Sequence, residues 1–465
     1  MEKSTMNRRE FLRLSILAAA GSAVLTACAP AAPAAQPTQA PAAEATQAPE
    51  ATAVPATAAP AEAGKGVKVT FWWHHGGDIG NSIENANKTF MEKNTDISIE
   101  GLQISDLGSK LKPALSGGVG PDIWDSGLPD AIQGYVQPLD EYVKASGKIN
   151  IDEYPQKPEM IWEGKLYNIP AIESGMENAL VWNKKMFEAA GLDPEKPPTT
   201  LAELLSMAEK LTKVDSSGNI LELGFDDRDS SGGMYPNWQT AFAIEVFDAA
   251  NKKMNFSQPE HIQMVDWMVA YEKKMGPEKI GAFHKSYPGW GSVTPGGAFC
   301  TGKEAMMIDG SWCPGGLAKL APDGDFGYTW VPGFNSPNKT QQMGAHALAI
   351  NAVSKVAQQA YKLVEFMCTE GNDIIYNQSG SFAYYKSWAA KADTSKFKGL
   401  KFYFDSVAEA TFIRPRGYVL TGWGEWWAAI DDLVLGKQSD TKTALAQAEE
   451  EAQKAFDDLL SQAQG

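Results

Sequence analysis

Fourteen tryptophans among 465 residues, about 3% of the chain, fall repeatedly where a short apolar run gives way to glycine and acidic residues. A sugar ring presents an apolar C–H face and a polar rim. Flat indoles beside carboxylates and amides are the side chains that grip it, and rigid rings supply contact area at little loss of rotamer freedom. Trp312, after Asp309-Gly310-Ser311, is the leading position of this kind. A tryptophan after a strand also serves as a core or rim residue. Trp72 and Trp73 are neighbours on a predicted strand, so they point to opposite sides and one belongs to the core; Trp73 is taken as the ligand-facing one. His74 and His75 follow directly. As strand neighbours they would face apart, and no Cys, Asp or Glu stands at zinc-motif spacing, so no metal is expected. With Asp78 they read as the first strand-to-helix loop at the mouth of a site, where neutral imidazole can donate to a hydroxyl, or as a solvated loop.

The elements that must hold these residues alternate. Residues 68–73 are β-rich, and a helical pattern runs through Ile83, Ala86, Phe90 and Met91. Strands follow at 97–99, 122–124, 179–182, 305–309 and 347–350, with a loop at 117–121. Thr200 with Glu203 three residues on predicts a capping box. Helices are predicted at about 355–368, 423–435 and 441–460. Strands alternating with helices indicate α/β layers.

Composition narrows the class. Lys and Arg number 41 against 57 Asp and Glu, a net charge of −16, which is the wrong sign for displacing counterions from a phosphate backbone, so no nucleic acid is expected. The start carries an export layout: Asn7-Arg8-Arg9-Glu10-Phe11-Leu12, an apolar run at 16–24, then Leu25-Thr26-Ala27-Cys28. That run is too short for a bilayer span. The paired arginines resemble a twin-arginine address. Leu-Thr-Ala-Cys resembles the lipobox, which makes Cys28 the lipidated first residue of the mature chain; a signal cleaved after an alanine is the alternative. Residues 29–66 are almost wholly Ala, Pro, Thr, Gln and Glu and cannot bury enough surface to fold. As a polyproline-rich tether they could reach on the order of 100 Å.

The order of motifs across 67–465 resembles the extracellular solute-binding proteins of bacterial ABC importers, the group that includes the maltose-binding protein. The matching residues are Gly120-Pro121-Asp122-Ile123-Trp124, Tyr167-Asn168-Ile169-Pro170, and Ala179-Leu180-Val181-Trp182-Asn183 through Phe187. Then come Pro197-Pro198-Thr199-Thr200, Thr301-Gly302-Lys303-Glu304-Ala305 through Trp312, and Gly436-Lys437-Gln438 before the last helix. The resemblance implies a periplasmic-binding-protein-like (type II) fold of two α/β lobes joined by several hinge crossovers, with the ligand cleft between them. It implies a signal peptide at 1–27, a tether at 28–66, lobe 1 at 67–174 plus 332–376, and lobe 2 at 175–331 plus 377–465. It makes Trp312 and Trp423 the stacking aromatics. It places a sugar-binding carboxylate beyond the third strand, at Asp125 or Asp130, and another before the crossover strand, with Glu177 preferred and Glu173 second.

The function implied is capture of a mono- or oligosaccharide for delivery to an ABC permease. The protein would be a monomer without cofactor, anchored by lipid to the outer face of the cytoplasmic membrane. A polyamine suits an acidic cleft through cation–π contacts, and a glycerol phosphate would want arginines, of which Arg414 and Arg416 are paired. A secreted glycoside hydrolase needs two placed acids, and no motif marks such a pair. Gly-x-Ser-x-Gly, a P-loop, Cys-x-x-Cys and His-Glu-x-x-His are all missing from the sequence. Cys300 and Cys313 lie near opposite ends of a predicted strand, too far apart for a disulfide, so with Cys368 they read as free thiols.

Overall fold

The computed structural model describes residues 66–462 apart from 235, 249, 288–292 and 416–421. Cys28, the export segment, most of the tether and Arg416 lie outside the described residues. The first layer begins with β1 (Val67–Trp73), α1 (Gly77–Lys93), β2 (Ile97–Gln103), β3 (Ile123–Ser126) and β4 (Asn168–Pro170). The second uses β5 (Ala179–Asn183), α2 (Leu201–Leu211), β6 (Met306–Asp309), α3 (Cys313–Leu320) and β7 (Phe326–Thr329). The chain continues through β8 (Thr340–Met343), β9 (Ala347–Ile350), α4 (Ala357–Cys368), β10 (Phe412–Pro415), α5 (Trp423–Val434) and α6 (Thr441–Gln462).

Two sheets organise two α/β lobes. One has the order β2-β1-β3-β9-β4, with the first three strands parallel and β9 antiparallel to both neighbours. In β1 the period-2 pattern sends Val69, Phe71 and Trp73 into a core shared with Ile83 and Phe90 of α1 and Leu363 and Val364 of α4. The other sheet is β6-β5-β7, antiparallel throughout. All five residues of β5 are buried because the sheet is covered on both faces. Leu180 and Trp182 belong to one core with Phe225, Met264, Ile430 and Leu445, whereas Val181 belongs to another with Phe299, Cys313 and Tyr403. The predicted capping box is present: Glu203 N–H donates to Thr200 Oγ1 at 3.2 Å, and the Glu203 carboxylate accepts from Thr200 N at 3.3 Å. Cys300, Cys313 and Cys368 are free thiols.

Among the described residues, three chain segments lie side by side between the two sheets. Residues 171–178 run from β4 to β5. Beside them, Gly344 N–H donates to Gly175 O at 2.9 Å and Glu177 N–H to Gln342 O at 3.0 Å. On the other side Ser174 N–H donates to Phe382 O at 2.8 Å and Tyr384 N–H to Ser174 O at 2.7 Å. Such a ribbon can flex as a hinge while each sheet stays intact.

Within the larger core, His261 is wholly buried, and its Nε2 accepts from the Trp426 indole N–H at 2.9 Å. The ring is therefore neutral, and burial pushes its pKa down to about 3. Below pH 6.5 the unfolded chain binds a proton here that the folded chain refuses, so stability falls with pH. Between pH 7 and pH 5 this residue should remove about 2 kcal/mol of stability. Urea unfolding of wild type and His261→Gln at both pH values should show a difference that changes by that amount.

Candidate functional site

The chain leaves β1 toward β2 on one side and reaches β3 on the other, so the carboxyl ends of β1 and β3 flank a topological switch point. Ligands of open α/β sheets bind at such crevices. His74 and His75 follow β1 there, and Asp125 lies in β3. The strand ends at Trp73, so strand alternation no longer governs the two histidines, and their rings lie 3.9 Å apart at 34°. The expectation that they face apart is thereby corrected.

His346 completes the group, with its ring 4.9 Å from each of the other two. Antiparallel pairing of β9 with β3 sets Leu348 opposite Asp125 and so carries His346 to the same end of the sheet. One oxygen of Asp125 contacts Nδ1 of His74 at 2.7 Å and Nδ1 of His346 at 3.1 Å. Nε2 of His75 meets Glu173 at 3.1 Å. The crossover supplies Glu173, and His346 N–H donates to its carbonyl at 2.9 Å. Burial opposes ionisation of Asp125, but His346 and His74 together outweigh it and hold the carboxyl well below its usual range. Burial opposes ionisation of Glu173 as well, and the hydrogen bond from His75 again prevails. For His75 burial dominates and lowers the pKa, so its imidazole is neutral.

The remaining sequence-predicted residues divide. Trp312 follows β6, is half-buried, and packs its indole on Gly310, where a Cβ would come within 2.3 Å of the ring. Its neighbour Ser311 donates N–H to Met176 O at 2.7 Å, and the Ser311 hydroxyl packs on Gly175. Residues 173–176 thus have the histidine group at one end and the Trp312 turn at the other. Trp423 opens α5 and is 41% exposed; among the described residues it shares no ring contact or hydrogen bond with the histidine group. Neither Trp312 nor Trp423 is sealed in a core.

Four residues stand elsewhere. Trp73 is 2% exposed, in the core with its ring over Gly101 of β2; a glycine there leaves the room it needs. Trp72 is the partly exposed partner. Asp130 accepts from the indole N–H of buried Trp124 at 3.0 Å, so it secures a core residue and Asp125 is the carboxylate in the group. Glu177 is 3% exposed, packed on Gly344 and hydrogen-bonded by Gln342, so Glu173 is the carboxylate that the crossover brings to the histidines. Asp78 is exposed and pairs with Lys319 of α3 at 2.7 Å. His346 was not anticipated: the strand it precedes was predicted, but its neighbours at the site are distant in sequence. Arg414 is buried, donating to Ile244 O, with Glu245 at 3.3 Å.

Residues 75–374 match the family model for bacterial extracellular solute-binding proteins. The multiple sugar-binding protein of Streptococcus mutans is 25% identical over 328 residues, 66% of this chain and 73% of its own. The sn-glycerol-3-phosphate-binding periplasmic protein UgpB of Pectobacterium atrosepticum is 27% identical over 204 residues, 41% of this chain and 42% of its own. Among solved structures, CpMnBP1 with mannotriose bound superposes with a TM-score of 0.73 at 25% identity, covering 83% of this chain and all of that one. The maltose/maltodextrin-binding domain MalE of Bdellovibrio bacteriovorus, bound to maltotriose, gives 0.66 at 20% identity over 84% of this chain and all of that one. The fold is that of the type II periplasmic binding proteins, and over most of its folded length this chain belongs to the family of bacterial extracellular solute-binding proteins.

Proposed function

We propose that the chain captures a carbohydrate between its two lobes and delivers it unchanged to the membrane subunits of an ABC importer. Lobe 1 comprises 67–174 with 332–376 and lobe 2 comprises 175–331 with 377–465, a division that the separate cores around β1 and β5 support. A tether starting at lipidated Cys28 would hold the protein, as a monomer, at the outer face of the cytoplasmic membrane. The observation that carries the reading is one stretch of crossover, 173–176, that has imidazoles and carboxylates at one end and an indole lying on Gly310 at the other. Polar rim and apolar face of a sugar would each find a partner there. A relative named for multiple sugars and a solved structure with mannotriose bound, each 25% identical, agree with this.

A glycerol phosphate is less well served, because Arg414 is committed to Ile244 and Glu245, and Arg228 to Glu272 and Asp431. A thermal-shift panel of manno- and malto-oligosaccharides, polyamines and glycerol phosphate tests the choice. An oligosaccharide should stabilise the protein, and Trp312→Ala should weaken its binding about 30- to 100-fold, on the order of 2–3 kcal/mol, with the ligand-free melting temperature retained. Stabilisation by a polyamine or the phosphate ester alone would end the carbohydrate reading. Cleavage of the oligosaccharide would replace capture with catalysis.

A further inference from the structure

We propose that His74, His75 and His346 bind a divalent transition-metal ion, with zinc the best match, seated on the carboxylates of Asp125 and Glu173. One ring nitrogen from each histidine lies within 4.8 Å of those of the other two. Three imidazoles around zinc at about 2.0–2.1 Å stand roughly 3.3 Å apart, so small ring rotations close the set.

The hydrogen bonding prepares each ring for a metal. Asp125 takes the Nδ1 side of both His74 and His346. Glu173 takes the Nε2 side of His75, which leaves Nδ1. That nitrogen is buried and has no hydrogen-bond partner, although His75 is only 6% exposed. A carboxylate behind each ligating imidazole fixes its tautomer and raises its basicity, the arrangement that metal-binding histidines use.

Charge points the same way. Asp125 and Glu173 are 7% and 17% exposed at the side chain, and among the described residues each pairs only with histidine, with no lysine or arginine. Two carboxylates behind three imidazoles, with no lysine or arginine beside them among the described residues, make a setting that suits a divalent ion. Three nitrogen ligands suit Zn²⁺ or its neighbours in the first transition row rather than Mg²⁺ or Ca²⁺, which prefer oxygen. The His74 and His346 side chains are 35% and 31% exposed, so the ion has a way in. With three protein ligands a fourth position stays open for water or for a solute oxygen. An ion here would also fasten the crossover to the end of β1. The inference rests on the histidine geometry and not on the identity of the solute.

The test uses the untagged mature chain stripped with EDTA. Zn²⁺ titrated against a chromophoric chelator should bind at one ion per chain with micromolar or tighter affinity, and Co²⁺ should give the intense visible absorption of a four-coordinate site. His74→Gln and His346→Gln should each weaken Zn²⁺ at least 30-fold. Asp125→Asn should weaken it about 10- to 100-fold. His284→Gln, beside Asp226 and outside the group, should leave binding unchanged. Melting curves in EDTA establish that each variant is folded. Affinity no better than millimolar in the folded wild type, or tight binding that survives both histidine variants, would overturn the proposal. Oligosaccharide shifts recorded in EDTA judge the carbohydrate reading separately, since they need no metal.

Discussion

Replacing Gln341 by methionine is expected to lower folding stability by about 2–5 kcal/mol and to loosen the join between two of the crossovers. Gln341 lies in β8, fully buried, and its amide is saturated. Its Oε1 accepts from the backbone N–H of Asn178 at 2.8 Å and of Glu177 at 3.2 Å. Its Nε2 donates to Asn178 O at 3.1 Å and to Ser406 Oγ at 2.8 Å. Glu177 N–H keeps a second acceptor in Gln342 O, so the methionine chiefly strands both backbone groups of Asn178. No water can easily reach them, and an unpaired buried donor or acceptor costs about 1–3 kcal/mol each. Urea unfolding should show a lower midpoint at unchanged slope. Amide exchange at Asn178 should rise while that of the β1–β3 sheet stays slow, because the lesion is local. Gln341→Glu, which as a neutral acid retains one acceptor and one donor, should fall between the two. A methionine variant as stable as wild type would mean that the side-chain clamp is dispensable.

Local patterns in the sequence were enough to predict most elements but not all of the site. Strands β1, β5 and β9 and helices α4, α5 and α6 lie where periodicity predicts them, because their burial follows a regular spacing along the chain. The same spacing says that Trp72 and Trp73 face opposite ways without saying which faces the core. That is decided by α1 packing on the side of Trp73 and by Gly101 of β2, and neither is local information. Asp125 and Asp130 are equivalent in sequence; the register between β3 and β9 separates them by putting a histidine beside Asp125 and leaving Asp130 to the Trp124 indole. Glu173 and Glu177 differ similarly, since the second is turned toward Gln342 by the neighbouring crossover. His346 carried one usable signal: it is one of only five histidines and directly precedes a predicted strand.

The second large effect is expected at Arg228. Arg228→Met, which keeps an unbranched stem against Trp427 but removes the guanidinium, should destabilise the protein by about 3–5 kcal/mol near neutral pH. The guanidinium bonds Glu272 through Nε at 2.7 Å and Nη2 at 2.6 Å, reaches Asp431 at 2.8 Å, and lies 4.4 Å from the Trp427 ring centroid. Glu272 is 8% exposed at the side chain, and Asp226 and Asp227 beside it are almost fully buried. Burial, reinforced by the charges of Glu272 and Asp226, already pushes Asp227 far above the usual carboxylate range, so it is held as the neutral acid. Burial raises Glu272 too, and Arg228 is what restrains it. Without Arg228 the Glu272 carboxyl must either stay charged and unpaired or take a proton, and its folded pKa rises further. A group with a raised folded pKa contributes stability that is present at low pH and lost as pH rises through that pKa. The deficit of Arg228→Met should therefore be small at pH 5 and large at pH 8. A deficit that is equal at both pH values would show that lost packing on Trp427 dominates, whereas its growth with pH would identify the uncompensated carboxylate as the cause.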